Sequence, residues 1–401
     1  MQIYDVVIIG SGPSGLGLAE ALEKKGLTNY VVLEREDHAG GIPYHCNHPT
    51  FGWLSKHHLM TGINFIKSML KNIPAEKVLT STTVLSIKDK GVVEIHDKNG
   101  VREIQGRRVA VCTGNRERSR ASRLLSGMRP LGIFTTCAIQ QFVYLNKNMP
   151  FKHPLIVGSE HVSFSVLWTL KHAGVKPVAM IESADKIQTF WPLRYFGLFF
   201  GTNLHTGVSI KHINGIEKVE SVDIVDKHGN VRNIECDCVI LTGDFVAENT
   251  LIREKGLRFA GPDNGPDVDR SHKTSDPYVY AAGNLIHPVD FGDRCYLEGG
   301  RLADVIIDDL KHNEIPLPTG TVACELAGDI YHMQPCLFDE RDPASISVRL
   351  RVRKDTHGSI SIKQGSRTLK TLSGNFAAHR FYTTKLSKLE EGMPVEVTFN
   401  K

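Results

Sequence analysis

Two kinds of apolar order alternate along the chain. The first is a short unbroken run, read as a strand buried on both faces. Residues 6–9 and 30–33 are such runs, as are those closing on Thr113-Gly114, Gly158, Glu182, Thr242-Gly243 and Gly283-Asn284. The second is alternation, the mark of a strand with one wet face. It occurs at 78–106, around turns such as Asn99-Gly100, again at 203–235, and throughout 320–401. Helical stretches follow the first run (16–25), Gly158, and Gly299-Gly300 as far as residue 310.

The pattern repeats. Strand, glycine turn, helix and second strand ending in an acid occupy 4–36 and again 154–182. Glu34 follows Gly10 by 24 positions, and Glu182 follows Gly158 by 24. Each unit is followed by a strand meander that closes on Thr-Gly. An internal repeat of this kind marks two copies of one supersecondary unit. The fold class it predicts is α/β: two Rossmann-like dinucleotide-binding domains, the second inserted in the first, plus a small C-terminal β domain. The predicted boundaries are 1–150 and 263–318 for the two parts of the first domain, 151–262 for the insert and 319–401 for the β domain.

The first copy carries the chemistry of a dinucleotide cradle, Gly10-Ser11-Gly12-Pro13-Ser14-Gly15. Gly10 permits the tight turn, Gly12 leaves room for a pyrophosphate at the backbone, and Gly15 lets the helix lie close on the sheet. The helix N-terminus offers free N–H groups to the phosphates. Glu34, followed by Arg35, stands where a ribose hydroxyl would donate. The second copy reads Gly158-Ser159-Glu160, with Ser163 at the third glycine position. Glu160 places bulk and negative charge where a pyrophosphate would approach, and like charges repel. If a nucleotide binds there, Glu182 favours NADH, since an acid at that strand tip repels a 2′-phosphate.

Composition narrows the partners. The chain has 401 residues, a net charge of +4 and no long basic run, which argues against nucleic acid. No segment has the length of a membrane-spanning helix, and the chain enters its first strand by residue 4, so the cytoplasm is the expected compartment. The eight cysteines form no CxxC pair. His45, Cys46, His48, His57 and His58 crowd one loop, but their spacing fits no compact zinc module, and no metal is expected. An aromatic cluster at 190–200 reads as a packed helix, or alternatively as an apolar patch for a partner or membrane surface.

These residues together resemble a family. GSGPSG (10–15) with Glu34, VAVCTGNRE (109–117) and YAAGN (280–284) are similar to the flavoproteins with two dinucleotide-binding domains related to the pyridine nucleotide–disulphide oxidoreductases. The resemblance covers about the first 310 residues. It implies FAD in the first domain, held by Gly10, Gly12, Gly15, Glu34, Gly41, the backbone of Val84, Thr113, Gly114, Gly283 and Asn284. It implies NAD(P)H as the cofactor of the second domain, at Gly158, Ser159, Glu160, Glu182 and Gly243. GGIPYHCNHPTFG (40–52) is similar to subunits that work beside a second flavin dehydrogenase, such as opine, hydroxyproline or cyanide-forming amino-acid dehydrogenases. A second flavoprotein subunit is therefore an expected partner, and a homo-oligomer an alternative assembly.

The departures matter as much. Where relatives carry a redox CxxxxC pair, this chain has Pro43 and His48, leaving Cys46 as the one local thiol. The late acid of the family is Asn284 here. Cys324 and Cys336 alone cannot supply the four thiolates of an iron–sulphur module. The implied activity is electron transfer between a nicotinamide nucleotide and a partner flavoprotein or other acceptor, with His45, Cys46 and His48 as candidate catalytic groups that line the flavin and tune its potential or shuttle protons, or else as plain pocket walls. The competing expectation is an FAD-bearing interface subunit whose nucleotide site is lost.

Overall fold

The computed structural model describes residues 1–189, 200–259, 265–287, 289–312, 322–338, 345–378, 380–390 and 392–400. The first apolar runs become β1 (Gln2–Ile9) and β2 (Tyr30–Leu33), parallel neighbours joined by α1 (Pro13–Lys24). Pro13 opens α1, where its missing N–H costs nothing. The short β3 (Val78–Leu79) extends the sheet beyond β2. The meander follows as β4 (Thr83–Ile87), β5 (Val92–Asp97) and β6 (Gly100–Val111), antiparallel to one another, with β6 returning beside β1 in parallel. The alternating stretch and the buried run before Thr113 are thus one continuous 12-residue strand. Helix α2 (Gly62–Leu70), capped by Thr61, buries Phe65, Ile66 and Met69 against the same layer.

The chain crosses to the second unit at β7 (Asn115–Glu117) and returns at β16 (Phe245–Ala247), and these two crossings pair with each other. Between them lie β8 (Ile133–Thr135), α3 (Thr136–Tyr144), β9 (Pro154–Val157), α4 (His161–His172), β10 (Ala179–Glu182), β11 (Leu204–Thr206) and β15 (Cys238–Leu241). The strands form one parallel sheet in the order β11-β10-β9-β15-β8. A separate three-stranded meander, β12 (Val208–Asn214), β13 (Ser221–Asp226) and β14 (Val231–Glu235), covers it. The boundary predicted at residue 150 therefore falls inside the second unit: β8 pairs in register with β15, a contact no local pattern reveals. The boundary predicted at 262 also lies late, because α5 (Thr250–Glu254) buries Ile252 in the first unit's core. Of the aromatic cluster, residues 190–199 lie outside the described residues.

The first sheet is completed by β17 (Val279–Ala281), parallel to β6. Helix α6 (Gly292–His312) then crosses α1 at close range. A Cβ on Gly299 would sit 2.0 Å from Ser14 O, and one on Gly17 would sit 2.3 Å from Tyr296 O. Near the C-terminal end of the same helix Arg108, fully buried, donates to Asp309 Oδ2 at 2.5 Å, and Tyr280 donates to the same oxygen at 2.7 Å. Removing one member of such a pair costs about 3–5 kcal/mol, because the other charge stays buried.

The C-terminal strands are β18 (Val322–Leu326), β19 (Ile330–Gln334), β20 (Leu337–Phe338), β21 (Ser345–Val352), β22 (Thr356–Gln364), β23 (Arg367–Phe376), β24 (Tyr382–Ser387) and β25 (Val395–Asn400). They form two sheets around one core, antiparallel throughout except for β18 beside β25. Among the described residues no helix is long and apolar enough to cross a membrane.

Candidate flavin site and its second copy

The first glycine turn separates steric from chemical demands. A Cβ on Gly10 would lie 2.6 Å from Cys112 O, and one on Gly15 would lie 2.0 Å from Gly10 O. Both positions are closed by the protein's own backbone. A Cβ on Gly12 would meet nothing within 4 Å. No protein atom requires a glycine there, so the open space at the N-terminus of α1 fits a ligand that approaches the backbone. Gly41 closes over this turn, its Cβ position 3.1 Å from Gly12 Cα. These residues fit the pyrophosphate of FAD.

Glu34 directly follows β2, with its carboxylate already engaged. Ser11 donates to Oε2 from its N–H at 3.0 Å and its hydroxyl at 2.5 Å, and Glu36 N donates to Oε1 at 3.0 Å. Gly40 N donates to Ser11 Oγ at 3.0 Å. Ser11 is therefore a latch between the cradle, the acid and the Gly40-Gly41 turn. A lone pair on Oε1 remains for a ribose hydroxyl. Arg35 is exposed and pairs with Glu36. Val84 lies in the outer strand β4, two residues after Thr82, whose N–H donates to Glu34 O at 2.8 Å.

The other predicted flavin residues converge from later segments. Thr113 Oγ1 donates to Glu248 O at 2.9 Å, and Glu248 N donates to Gly114 O at 2.9 Å, fixing the turn where the chain leaves the first sheet. Gly283 packs on Ser14, with its Cβ position 2.7 Å from Ser14 Cβ. Asn284 accepts from Asp290 N at 2.8 Å and donates to Asp290 O at 3.2 Å, which fixes the direction of its amide. Glu298 of α6 accepts from Gly283 N at 2.6 Å and pairs with His287 Nε2 at 2.8 Å. These neighbours, with His272, hold its carboxyl down to about 2 against the opposing effect of burial. Neither Glu298 nor Asp290 carries a sequence signal; both are defined only by the turn they brace.

The His/Cys loop faces the second unit. His45 lies in a short turn, Ile42–His45, and burial pushes its imidazole down to about 4. Burial also pushes His48 down to about 4; its Nδ1 lies 2.8 Å from Thr50 Oγ1. Burial, with Glu117 nearby, pushes the Cys46 thiol up to about 12, and its Sγ contacts Ile42 O at 3.3 Å and Gln140 Oε1 of α3 at 3.5 Å. The expectation that Cys46 is the one local thiol is corrected here. Cys137, at the start of α3, is raised well above the usual thiol range by burial first, with Glu117 and Cys46 adding to it. All eight cysteines are free. Among the described residues no group of three His, Cys, Asp or Glu is placed to hold a metal.

The second copy repeats the latch. Ser159 Oγ donates to Glu182 Oε2 at 2.6 Å, and Gln188 N donates to Ser159 Oγ at 2.9 Å. The cradle itself is filled. The Glu160 side chain folds between the two glycine turns: a Cβ on Gly158 would be 2.6 Å from Glu160 Oε2, and one on Gly243 would be 2.5 Å from Oε1. Ser163 Oγ donates to Glu160 Oε2 at 3.1 Å and Thr242 Oγ1 donates to it at 3.2 Å. Burial, with Glu182 nearby, raises the Glu160 carboxyl above its usual range. Arg123, which sequence reasoning missed, donates to Thr242 O at 2.9 Å and Gly243 O at 2.8 Å from the other side.

Known proteins match this architecture. The soluble pyridine nucleotide transhydrogenase of Shigella flexneri is 22% identical over 359 residues, covering 79% of this chain and 74% of its own. The protein of the same name from Vibrio atlanticus is 21% identical over 350 residues with the same coverage. Among solved structures, T. acidophilum thioredoxin reductase superposes with a TM-score of 0.64 at 20% identity, covering 78% of this chain and 100% of that one. L-proline dehydrogenase from P. horikoshii gives a TM-score of 0.60 at 20% identity, covering 78% and 56%. These structural likenesses bear on the fold alone. Residues 4–329 match the model of the pyridine nucleotide-disulphide oxidoreductases, and the chain belongs to that family of FAD-dependent, NAD(P)-linked oxidoreductases.

Proposed function

We propose that this chain is an FAD-dependent oxidoreductase that moves electrons between a nicotinamide nucleotide and a partner flavoprotein or other acceptor, without a redox disulphide of its own. The observation that carries the reading is the contrast within the first cradle: Gly10 and Gly15 are closed by backbone, while Gly12 opens onto space. FAD, when bound, supplies the two-electron chemistry. The chain's part is to hold it. Gly12, Gly41 and the start of α1 would take the pyrophosphate, Glu34 the ribose, and Asn284 a ribityl hydroxyl. Pro43 and His48 stand where a cysteine pair would be, and the protonated Cys46 thiol is a poor nucleophile. His45 and His48 are held neutral at pH 7, which suits pocket walls better than acid–base catalysis.

Glu160 favours a second reading, in which the inserted unit has lost nucleotide binding and serves as an interface beside another dehydrogenase subunit. One measurement separates the two. The purified protein is loaded with FAD and mixed anaerobically with NADH and, separately, NADPH. Rapid loss of the oxidised flavin absorbance supports direct nucleotide reduction. A flavin-loaded protein that neither nucleotide reduces sinks that route and leaves the interface reading.

A further inference from the structure

The C-terminal domain has no place in the electron-transfer chemistry above, yet it touches the residues that brace the candidate flavin site. Strand β21 brings Arg349 to Asp290, with Nη2 to Oδ2 at 3.1 Å. Asp290 is nearly buried, and its backbone is the partner of both ends of the Asn284 amide. Its carboxylate also accepts from Phe291 N at 2.9 Å and more distantly from Arg294, at 3.5 Å. Arg349 is itself held, its guanidinium 4.1 Å from the centre of the Phe381 ring. Phe381 in turn stands edge-on to His332 of β19 and to His287. His287 is the partner of Glu298, which braces Gly283. Two chains of contact thus run from the C-terminal sheets to the neighbouring residues Gly283 and Asn284. Backbone bonds from Cys336 N at 2.9 Å and Leu337 N at 3.2 Å, both to Val268 O, tie the C-terminal domain to the first unit as well.

We propose that Arg349 is a positioning residue for the flavin: through Asp290 it fixes the Asn284 amide, which makes the C-terminal domain a working part of the FAD site. The inference rests on the reading of Asn284 as a flavin contact. An amide bound at both ends to one residue keeps one N–H and one lone pair free in a set direction. A charge-assisted contact from an arginine fork, stacked on an aromatic ring, holds that residue more firmly than a surface pair would. A site is only as well ordered as the groups that support it.

The test uses the full chain carrying Arg349→Ala, Arg349→Lys or Asp290→Asn. Arg353, also from the β21 side of the domain but facing Tyr331, serves as control through Arg353→Ala. FAD affinity is read by flavin fluorescence on titration of apoprotein, and the flavin absorbance envelope and reduction potential are read at saturating FAD. Arg349→Ala is expected to weaken FAD about ten-fold, the scale of one charge-assisted hydrogen bond. It should also shift the envelope and potential of the saturated protein. Arg349→Lys should restore part of both, Asp290→Asn should match Arg349→Ala, and the double variant should add little to either single change. Arg353→Ala should leave all readouts unchanged. Lower thermal stability in Arg349→Ala with wild-type affinity, envelope and potential would reduce Arg349 to a scaffold residue and overturn the proposal. Wild-type protein that takes up no FAD removes the underlying site reading as well, and is told apart because it fails before any variant is made.

Discussion

In the first unit Ser11 Oγ bonds to Glu34 at 2.5 Å and receives Gly40 N at 3.0 Å; in the second, Ser159 Oγ bonds to Glu182 at 2.6 Å and receives Gln188 N at 2.9 Å. The strand exits match too. Gly10 N reaches Leu33 O at 2.9 Å, and Gly158 N reaches Ile181 O at 2.8 Å. The frame that holds a nucleotide-type acid is therefore conserved between the copies to within a few tenths of an ångström. The difference lies inside the frame. Gly12 leaves space at the helix N-terminus, and Glu160 fills the corresponding space with its own carboxylate. Keeping the scaffold and keeping the ligand space are separate properties, and they can be broken separately.

The largest effect is expected where the frame itself is touched. Gly15→Ala puts a Cβ at 2.0 Å from Gly10 O, a backbone atom that cannot move without pulling α1 off the sheet. A loss of about 3 kcal/mol or more in unfolding free energy is expected, read by urea denaturation of the apoprotein. Wild-type stability in this variant would mean that α1 can retreat and that the turn is looser than its contacts indicate.

Gly12→Ala should do the opposite. Its Cβ meets no protein atom, so apoprotein stability should change little. FAD affinity should fall about 100-fold, equivalent to about 2.7 kcal/mol, because the methyl enters the space proposed for the pyrophosphate. Fluorescence titration with FAD beside a urea curve reads both halves of the statement. Unchanged affinity would place the cofactor elsewhere.

The third effect tests the filled copy. Glu160→Gly removes bulk and charge from between Gly158 and Gly243. Binding of NADH, measured by calorimetry or by the rate of flavin reduction, should improve about ten-fold if the side chain is the obstacle. No gain would show that Glu160 already swings aside in the wild-type protein, or that the second cradle is closed by something deeper than one residue.

How much of this was legible in the sequence follows from the range of each interaction. The glycine turns, their acids and the 24-residue spacing are local, and the two strand–turn–helix units they predict are β1–α1 and β9–α4 of the structure. The Ser11 and Ser159 latches were visible as residues but not as latches, since each joins groups 23 and 29 positions apart. The crossing into the second unit was misplaced because β8 is only three residues long and is defined by its partner β15, more than a hundred positions away. Glu298, Asp290, Arg123 and Arg349 act by bracing turns across the fold, and nothing in their own neighbourhoods marks them. The sequence places Glu160 at the point of closest approach, but the direction in which its side chain turns is set by packing against Gly158 and Gly243.

The smallest effect asks in what state Glu160 fills its cradle. Burial, with Glu182 nearby, raises its folded pKa above the 4.5 of an ordinary glutamate. The native state therefore holds the proton more tightly than the unfolded chain does. The stability this confers is complete below pH 4.5 and is lost as pH rises through the folded value. Glu160→Gln keeps the acceptor for Ser163 and Thr242 but never ionises. It should equal the wild type near pH 4 and exceed it at pH 8 by on the order of 1 kcal/mol, read from urea curves across that range. A glutamine variant that is instead less stable at pH 8 would show that the carboxylate sits there as an anion, held by the N–H groups at the start of α4. The two cradles would then be alike once more: each built for a negative charge, the first receiving it from a ligand and the second supplying it from its own chain.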